Sequence, residues 1–388
     1  MYTKSLLAAA IAMTTAAVSQ TASAETDVAK ALTEGKPIAQ FNLRYETNDT
    51  DNTLDAATAL TLGSNLGYET GSLYGFKALV ELEDTRALID EYNPEDAQYN
   101  TVADPVNTEF NRVQISYAKD GVSAVLGRQR IILDNARFVG NVGWRQNEQT
   151  FDAFKAGFSN DDWDVTYAYI DKINTILFTQ IDVANNLFNV SYKGLEAGKL
   201  TGYGYYQKNE DNPANAASNA DTLGVRFAGK HALESTTLMY TAEYAMQDAK
   251  DYSANYLFAE LGATLGKAKV FAGYEVLGSD DGAYGFQTFM ATKHAFNGWA
   301  DKFLSTPASG LTDTYLKAVG NVAGVKLVGM YHMFDADEGG ADLGSELDLL
   351  AVKKIDDMFT VGLKAAMYSK GDSGADTDKL WAWVSAKF

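Results

Sequence analysis

From about residue 38 to its last residue, the chain alternates apolar and polar side chains almost one for one. A period of two is the signature of strands with two unlike faces. In Phe41-Asn42-Leu43-Arg44-Tyr45-Glu46 the apolar groups take one face, and Asn42, Arg44 and Glu46 the other. Tyr74, Phe76, Ala78, Val80 and Leu82 oppose Lys77 and Glu81; Val113, Ile115 and Tyr117 oppose Arg112 and Gln114. Leu223, Val225 and Phe227 oppose Gly224 and Arg226, and Tyr240, Ala242 and Tyr244 oppose Thr241 and Glu243. Segmentation yields about eighteen strands of roughly 9–12 residues, the length a tilted strand needs to cross a bilayer.

The connections decide between a soluble sandwich and a membrane barrel. Short ones fall at Thr70-Gly71-Ser72, Lys119-Asp120-Gly121, Asn160-Asp161, Leu265-Gly266-Lys267, Asn321 to Gly324 and Lys354 to Asp357. Long ones fall near 48–56, 85–108, 131–148, 173–185, 208–220, 277–312, 334–344 and 370–377, in strict alternation with the short. A sandwich has no reason to sort its loops by parity, whereas an outer-membrane barrel has short periplasmic turns and long external loops. The expected fold is therefore all-β: one antiparallel transmembrane barrel of about 18 strands. No later segment approaches the ~20 apolar residues of a spanning helix, so a membrane role demands a closed barrel.

The remaining features fit export to that membrane. Lys4, the apolar run Leu6 to Val18 and the small residues Ala22-Ser23-Ala24 read as a signal peptide over residues 1–24. Residues 25–37 then form a short polar periplasmic lead-in and 38–388 the barrel. Tyrosine (22) and phenylalanine (19) are abundant enough for aromatic girdles, proline (5) is scarce, and cysteine is absent, so neither disulfides nor thiolate metal sites can form. The formal charge of −19 argues against nucleic acid as a partner. It suggests acidic outer loops, which either hold divalent cations that bridge lipopolysaccharide in the surrounding outer-membrane lipid or simply aid solubility. The last strand alternates Leu380, Ala382, Val384, Ala386 and Phe388 with Trp381, Trp383, Ser385 and Lys387. A final amphipathic strand ending on Phe388 resembles the signal read by the barrel assembly machinery.

Two segments carry functional information. The third long loop and its flanks hold Arg128, Arg130, Arg137 and Arg145, followed by Lys155, in an otherwise acidic chain. Guanidinium forks suit carboxylate oxygens, and such groups in a pore raise the local anion concentration. Arg44, Arg112 and Arg226 on polar strand faces would add to that lining. The competing reading is that the arginines pair with Asp134, Glu148 and Asp152 and pin the loop to the wall. The longest loop contains Phe296, a tight-turn signal at Asn297-Gly298, Trp299 and Phe303. With Trp144 these aromatics either pack loops onto the barrel or offer sugar rings a stacking face.

The run Gly127-Arg-Gln-Arg-Ile, then Asp134 through Ala153, resembles the alginate-export family of outer-membrane barrels, as do His294 through Leu311 and Asp104-Pro105 with Thr108-Glu109. The resemblance spans nearly the whole mature chain. It implies an eighteen-stranded monomer, and the better-known members pass a polyanionic polysaccharide through an arginine-lined pore. By that analogy Arg128, Arg130, Arg137 and Arg145 are the residues to test, although the compact loops here leave little room for gating devices.

Catalysis finds no support. His231, His294 and His332 lie in different segments, Gly63-Ser-Asn-Leu-Gly67 is not a nucleophile elbow, and Asp335-Ala-Asp337-Glu338 lacks most of a calcium loop. No enzyme activity, cofactor or metal site is expected. The expected function is a channel passing anionic small molecules or oligosaccharides, from organic acids to acidic sugars. Its rivals are a dedicated exporter of an acidic exopolysaccharide such as alginate, a non-conducting structural or adhesive barrel, and a cation-preferring porin.

Overall fold

The computed structural model describes residues 21–388. The expected signal peptide lies outside the described residues as far as residue 20. Most of the segment 25–37 is helical, within α1 (Thr21–Thr33). Its carbonyls cap the base of the wall: Gly71 N–H donates to Ala31 O at 2.8 Å and Tyr68 OH to Leu32 O at 2.6 Å.

The strands, in chain order, are β1 (Lys36–Thr50), β2 (Ala57–Glu69), β3 (Phe76–Glu91), β4 (Asn107–Lys119), β5 (Val122–Gln129) and β6 (Thr150–Ser159). Next come β7 (Trp163–Asn174), β8 (Gln180–Leu195), β9 (Gly198–Tyr206), β10 (Asp221–Ala232), β11 (Thr237–Ala249), β12 (Tyr252–Leu265) and β13 (Ala268–Leu277). A two-residue ribbon, β14 (Ser279–Asp280) and β15 (Tyr284–Gly285), precedes β16 (Leu311–Val322), β17 (Val325–Asp335), β18 (Asp342–Lys354), β19 (Phe359–Ser369) and β20 (Thr377–Lys387). Eighteen of these form one antiparallel sheet, each strand paired with its sequence neighbours, and β20 pairs with β1 (Val384 opposite Leu43) to close it. Closure removes both sheet edges, the condition for a sheet in lipid.

The faces follow the alternation. On β3, Phe76, Val80 and Leu82 are exposed outward, while Glu81 and Glu83 are buried inside. On β20, Leu380 and Val384 face out and Trp381 is buried. No described helix is long and apolar enough to cross a membrane.

Two expectations need correction. The loops are not sorted strictly by parity: the connection between β11 and β12, on the loop-bearing end, is only Lys250-Asp251. Lys250 takes a left-handed conformation (φ 58°), as a two-residue hairpin requires. Strands also vary more than expected, from 8 residues in β5 to 16 in β3 and β8. Pairing with the start of β2 (Thr58 opposite Glu91) extends the ladder, so β3 runs to Glu91 into what the sequence suggested was loop.

Candidate functional site at the junction of two inward loops

The loop 130–149 turns into the lumen instead of standing above it. Its anchors are the inward side chains of the first strands. Gln146 Nε2 donates to Thr61 Oγ1 (2.9 Å), and the Glu148 amide donates to Glu83 Oε1 (3.0 Å). It meets the longest loop, 278–310, edge to edge: Gly140 N–H donates to Met290 O at 2.9 Å and Thr292 N–H to Ala136 O at 3.0 Å.

The arginines of the first loop are paired with carboxylates. Arg130 Nε donates to both Glu148 oxygens (2.6 and 2.7 Å). Arg137 donates to Glu275 Oε1 of β13 (2.7 Å) and Asn297 Oδ1 (2.9 Å), and lies 4.8 Å over Phe296. Arg145 NH1 donates to Glu46 of β1 (2.9 and 3.1 Å), and NH2 to Asp301 of the longest loop (3.2 Å). Arg44 joins this group through Asp104 and the Trp144 carbonyl. Arg128 is separate, held by Asp152 (2.8 Å) with Glu109 at 3.6 Å. Arg112 pairs with Glu81 (2.7 Å) and Arg226 with Glu243, outside the junction, while Lys155 has no ion-pair partner among the described residues. Carboxylates thus hold every one of these arginines, but only Arg128 and Arg130 meet the expected partners Asp152 and Glu148; Arg137 and Arg145 reach carboxylates remote in sequence, and Asp134 pairs with Lys199. This pairing does not empty the site of cationic character, because other residues supply it.

Those residues come from the tip of the longest loop and the last two strands. Asn297 (φ 53°) and Gly298 (φ 84°) make the tight turn, pressed against the wall so closely that a Cβ on Gly298 would lie 2.3 Å from Glu346 Oε2. Beyond the turn, Trp299 and Ala300 amides donate to Asp348 (3.2 Å) and Glu346 (2.7 Å) of β18. Lys364 of β19 points into a cage of three tryptophans, its Nζ 4.1 Å from the Trp144 ring centre, 4.0 Å from Trp299 and 5.2 Å from Trp381. A cation against several ring faces is stabilised by their quadrupoles. Lys364 also lies 2.6 Å from His294 Nε2, and His294 stacks on Trp144 (centroids 5.1 Å, planes 7° apart). His294 Nδ1 and Asp301 Oδ1 are 2.6 Å apart, and Lys379 Nζ of β20 donates to Asp301 Oδ2 at 3.1 Å. Phe303 packs on Phe334 (4.7 Å). Phe296, Trp299, Phe303 and Trp144 thus build the junction by packing.

Two cavities lie against it. One, of about 600 Å³, opens toward the short-turn end and is lined by Arg44, Arg130, Trp144, Arg145, Glu148 and Lys387 among others. The other, of about 460 Å³, opens toward the loop end. Arg145 is the single residue lining both. The outer cavity carries Arg145, Lys293, Lys302 and Lys379 against one carboxylate, Asp301. Neither Lys293 nor Lys302 has a carboxylate partner among the described residues; Lys302 donates to Ala375 O (3.2 Å) and Thr377 Oγ1 (3.0 Å). Burial, and then Arg137, lowers the Lys293 pKa; burial, and then Lys379, lowers that of Lys302. Both effects disfavour the charged form, and an anion entering the cavity would relieve them.

Sequence reading missed Lys293, Lys302, Lys364 and Lys379. Isolated lysines in an alternating or loop segment carry no local signal, and only the folded loops bring them together.

Comparison with known proteins places the architecture. OccAB4 of Acinetobacter baumannii superposes with a TM-score of 0.72 at 11% identity, over 92% of this chain and 99% of that one. OccK9 (OpdG) of Pseudomonas aeruginosa gives 0.73 at 13% identity, over 92% and 100% of the two chains. The outer-membrane protein opdK of the same species gives 0.70 at 12%, over 92% and 99%. At such identities the likeness is one of fold, that of an outer-membrane porin. No relative among curated proteins matches the sequence. The alginate export family matches residues 37–275, from the first barrel strand into β13 and across the whole arginine loop, and the chain belongs to that family of outer-membrane barrels.

Proposed function

We propose that the chain is a passive channel for small anionic solutes, organic acids or acidic sugars, taken up at the cationic outer cavity. The observation that carries this reading is the outer cavity's lining of four cationic side chains against one carboxylate, in a chain of formal charge −19. Chance would line such a cavity with acids. Cations within low-dielectric walls concentrate counter-ions, and solutes then diffuse down their gradient. Cavities of about 460 and 600 Å³ suit a small solute. A continuous polysaccharide would need both inward loops to leave the lumen, so the geometry favours a small solute over export of a polymer.

The test is the reversal potential of the purified barrel in a planar bilayer under a potassium chloride gradient. The expected sign is that of chloride permeation. Replacing Lys293 and Lys302 together by glutamine is expected to move the potential toward zero. A cation-selective wild type, or a potential unmoved by the double substitution, would overturn the reading.

A further inference from the structure

Among the described residues Asp301 is the only carboxylate lining the outer cavity, and it occupies that cavity's best-furnished position. Its two oxygens are divided between donors. Oδ1 is 2.6 Å from His294 Nδ1; Oδ2 takes Arg145 NH2 at 3.2 Å and Lys379 Nζ at 3.1 Å. Two oxygens in one plane, one facing a ring N–H and the other a guanidinium and an ammonium, is the donor arrangement a carboxylate requires. The donors come from three separate elements: Arg145 from the arginine loop, Lys379 from β20, and His294 from the same loop as Asp301.

The group is also built to leave. Asp301 has φ 63° and Asn297 φ 53°, two non-glycine residues in the left-handed region within one loop tip. Aspartate and asparagine tolerate that region better than other non-glycine residues, so the tip is fixed by its exchangeable contacts and not by strain. Arg145 does not depend on Asp301 for its position, because Glu46 holds NH1 through both oxygens at 2.9 and 3.1 Å. Arg145 therefore keeps its place when the occupant departs, as does His294 against Trp144 and Lys364, whereas Lys379 has Asp301 as its one ion-pair partner among the described residues.

We propose that Asp301 is a tethered stand-in for the solute's carboxylate. It closes the junction in the empty channel, and an incoming carboxylate opens the junction by taking its place on Arg145, Lys379 and His294. This rests on the anion-channel reading and adds to it the chemical group recognised and a mechanism of opening. An inward loop that would otherwise obstruct the lumen yields to the correct solute and holds against others. Arg145, which lines both cavities, passes the solute from the outer to the inner one.

The experiment uses the full barrel and its Asp301→Ala and Asp301→Asn variants in planar bilayers, with heat-modifiable gel mobility as the check of folding. Both variants are expected to conduct more than the wild type, roughly twofold or more for Asp301→Ala, since a negative charge is removed from a focusing constriction. A tethered group acts at an effective concentration on the order of millimolar, so acetate well above a millimolar is expected to raise the wild-type conductance toward that of Asp301→Ala and to leave the Asp301→Ala conductance unchanged. Nitrate at equal concentration is expected to leave the wild type low. Folded variants that conduct like the wild type would overturn the proposal, as would a wild-type conductance that ignores acetate or answers nitrate equally. An anion-selective wild type that ignores acetate defeats the stand-in alone. A cation-selective wild type that acetate opens defeats the anion-channel reading and leaves the stand-in intact.

Discussion

His294 concentrates the chemistry of the junction in one residue. Its ring is stacked on Trp144, Nδ1 faces Asp301 and Nε2 faces the Lys364 ammonium. Only the neutral ring satisfies both neighbours: Nδ1–H donates to the carboxylate, and Nε2 accepts from the ammonium. Burial pushes the His294 pKa down to about 3, outweighing the upward pull of Asp301. For Asp301, burial pushes upward, but His294, Lys379 and Arg145 hold the carboxyl well below its ordinary value. The linkage signs follow. Between about pH 6.5 and 3, unfolded His294 takes a proton that the folded residue refuses, so stability is full above pH 6.5 and falls on acidification. The maximum slope for one proton is about 1.4 kcal/mol per pH unit. Asp301 stays ionised through that window in the folded state and contributes a loss only below about pH 4. Thermal melting between pH 7 and 4.5 is therefore expected to fall with pH, and His294→Gln to flatten that fall. An unchanged slope in the variant would mean that His294 is protonated in the folded barrel. Sequence alone offered His294 as one of three scattered histidines and as the start of a family-like run; its neutrality comes from burial against Trp144 and from the Lys364 ammonium, in opposition to Asp301, and Trp144 and Lys364 are remote in sequence.

At the level of elements, the two inward loops divide what was readable from what was not. Asn297-Gly298 was readable as a turn, and the left-handed φ angles of both residues agree. The density of arginine in the loop 130–149 was readable as important. Where either loop goes was not, because Glu46, Glu81, Glu275, Glu346 and Asp348 lie on strands whose carboxylates look alike in so acidic a chain. The tip of the longest loop is clamped through backbone amides that any residue would offer, which leaves no trace in composition. Gly298 is the position where this clamp becomes testable. Gly298→Ala puts a Cβ 2.3 Å from a Glu346 oxygen at a backbone angle (φ 84°) unfavourable to alanine. The expected result is a released tip: higher and noisier conductance, with the heat resistance of the wall unchanged. A quiet wild-type conductance would show that the tip does not obstruct the lumen.

Across the whole molecule, the barrel sorts charge that the sequence leaves mixed. Outward positions are apolar, as on β16, where Leu316 is 61% exposed midway along the strand. Leu316→Arg is expected to cost about 2–4 kcal/mol in urea unfolding from lipid vesicles, the penalty for a cation near the bilayer midplane. A cost near zero would place that part of β16 outside the hydrocarbon. Inward, carboxylates of the wall pair with loop arginines, and the surplus cations gather at the outer cavity. A net charge of −19 and a cationic cavity are thus compatible, because net charge governs the far field and the cavity lining governs the solute.

By itself the sequence determined the barrel, since a period of two along strands of spanning length leaves every backbone group one place to bond, the next strand. It determined which faces meet lipid, and it located the arginine loop. Only the tertiary structure decided which charges remain free. Pairing depends on distances between segments far apart in the chain, as between Asp301 and Arg145 or Lys379, and no local pattern encodes those distances.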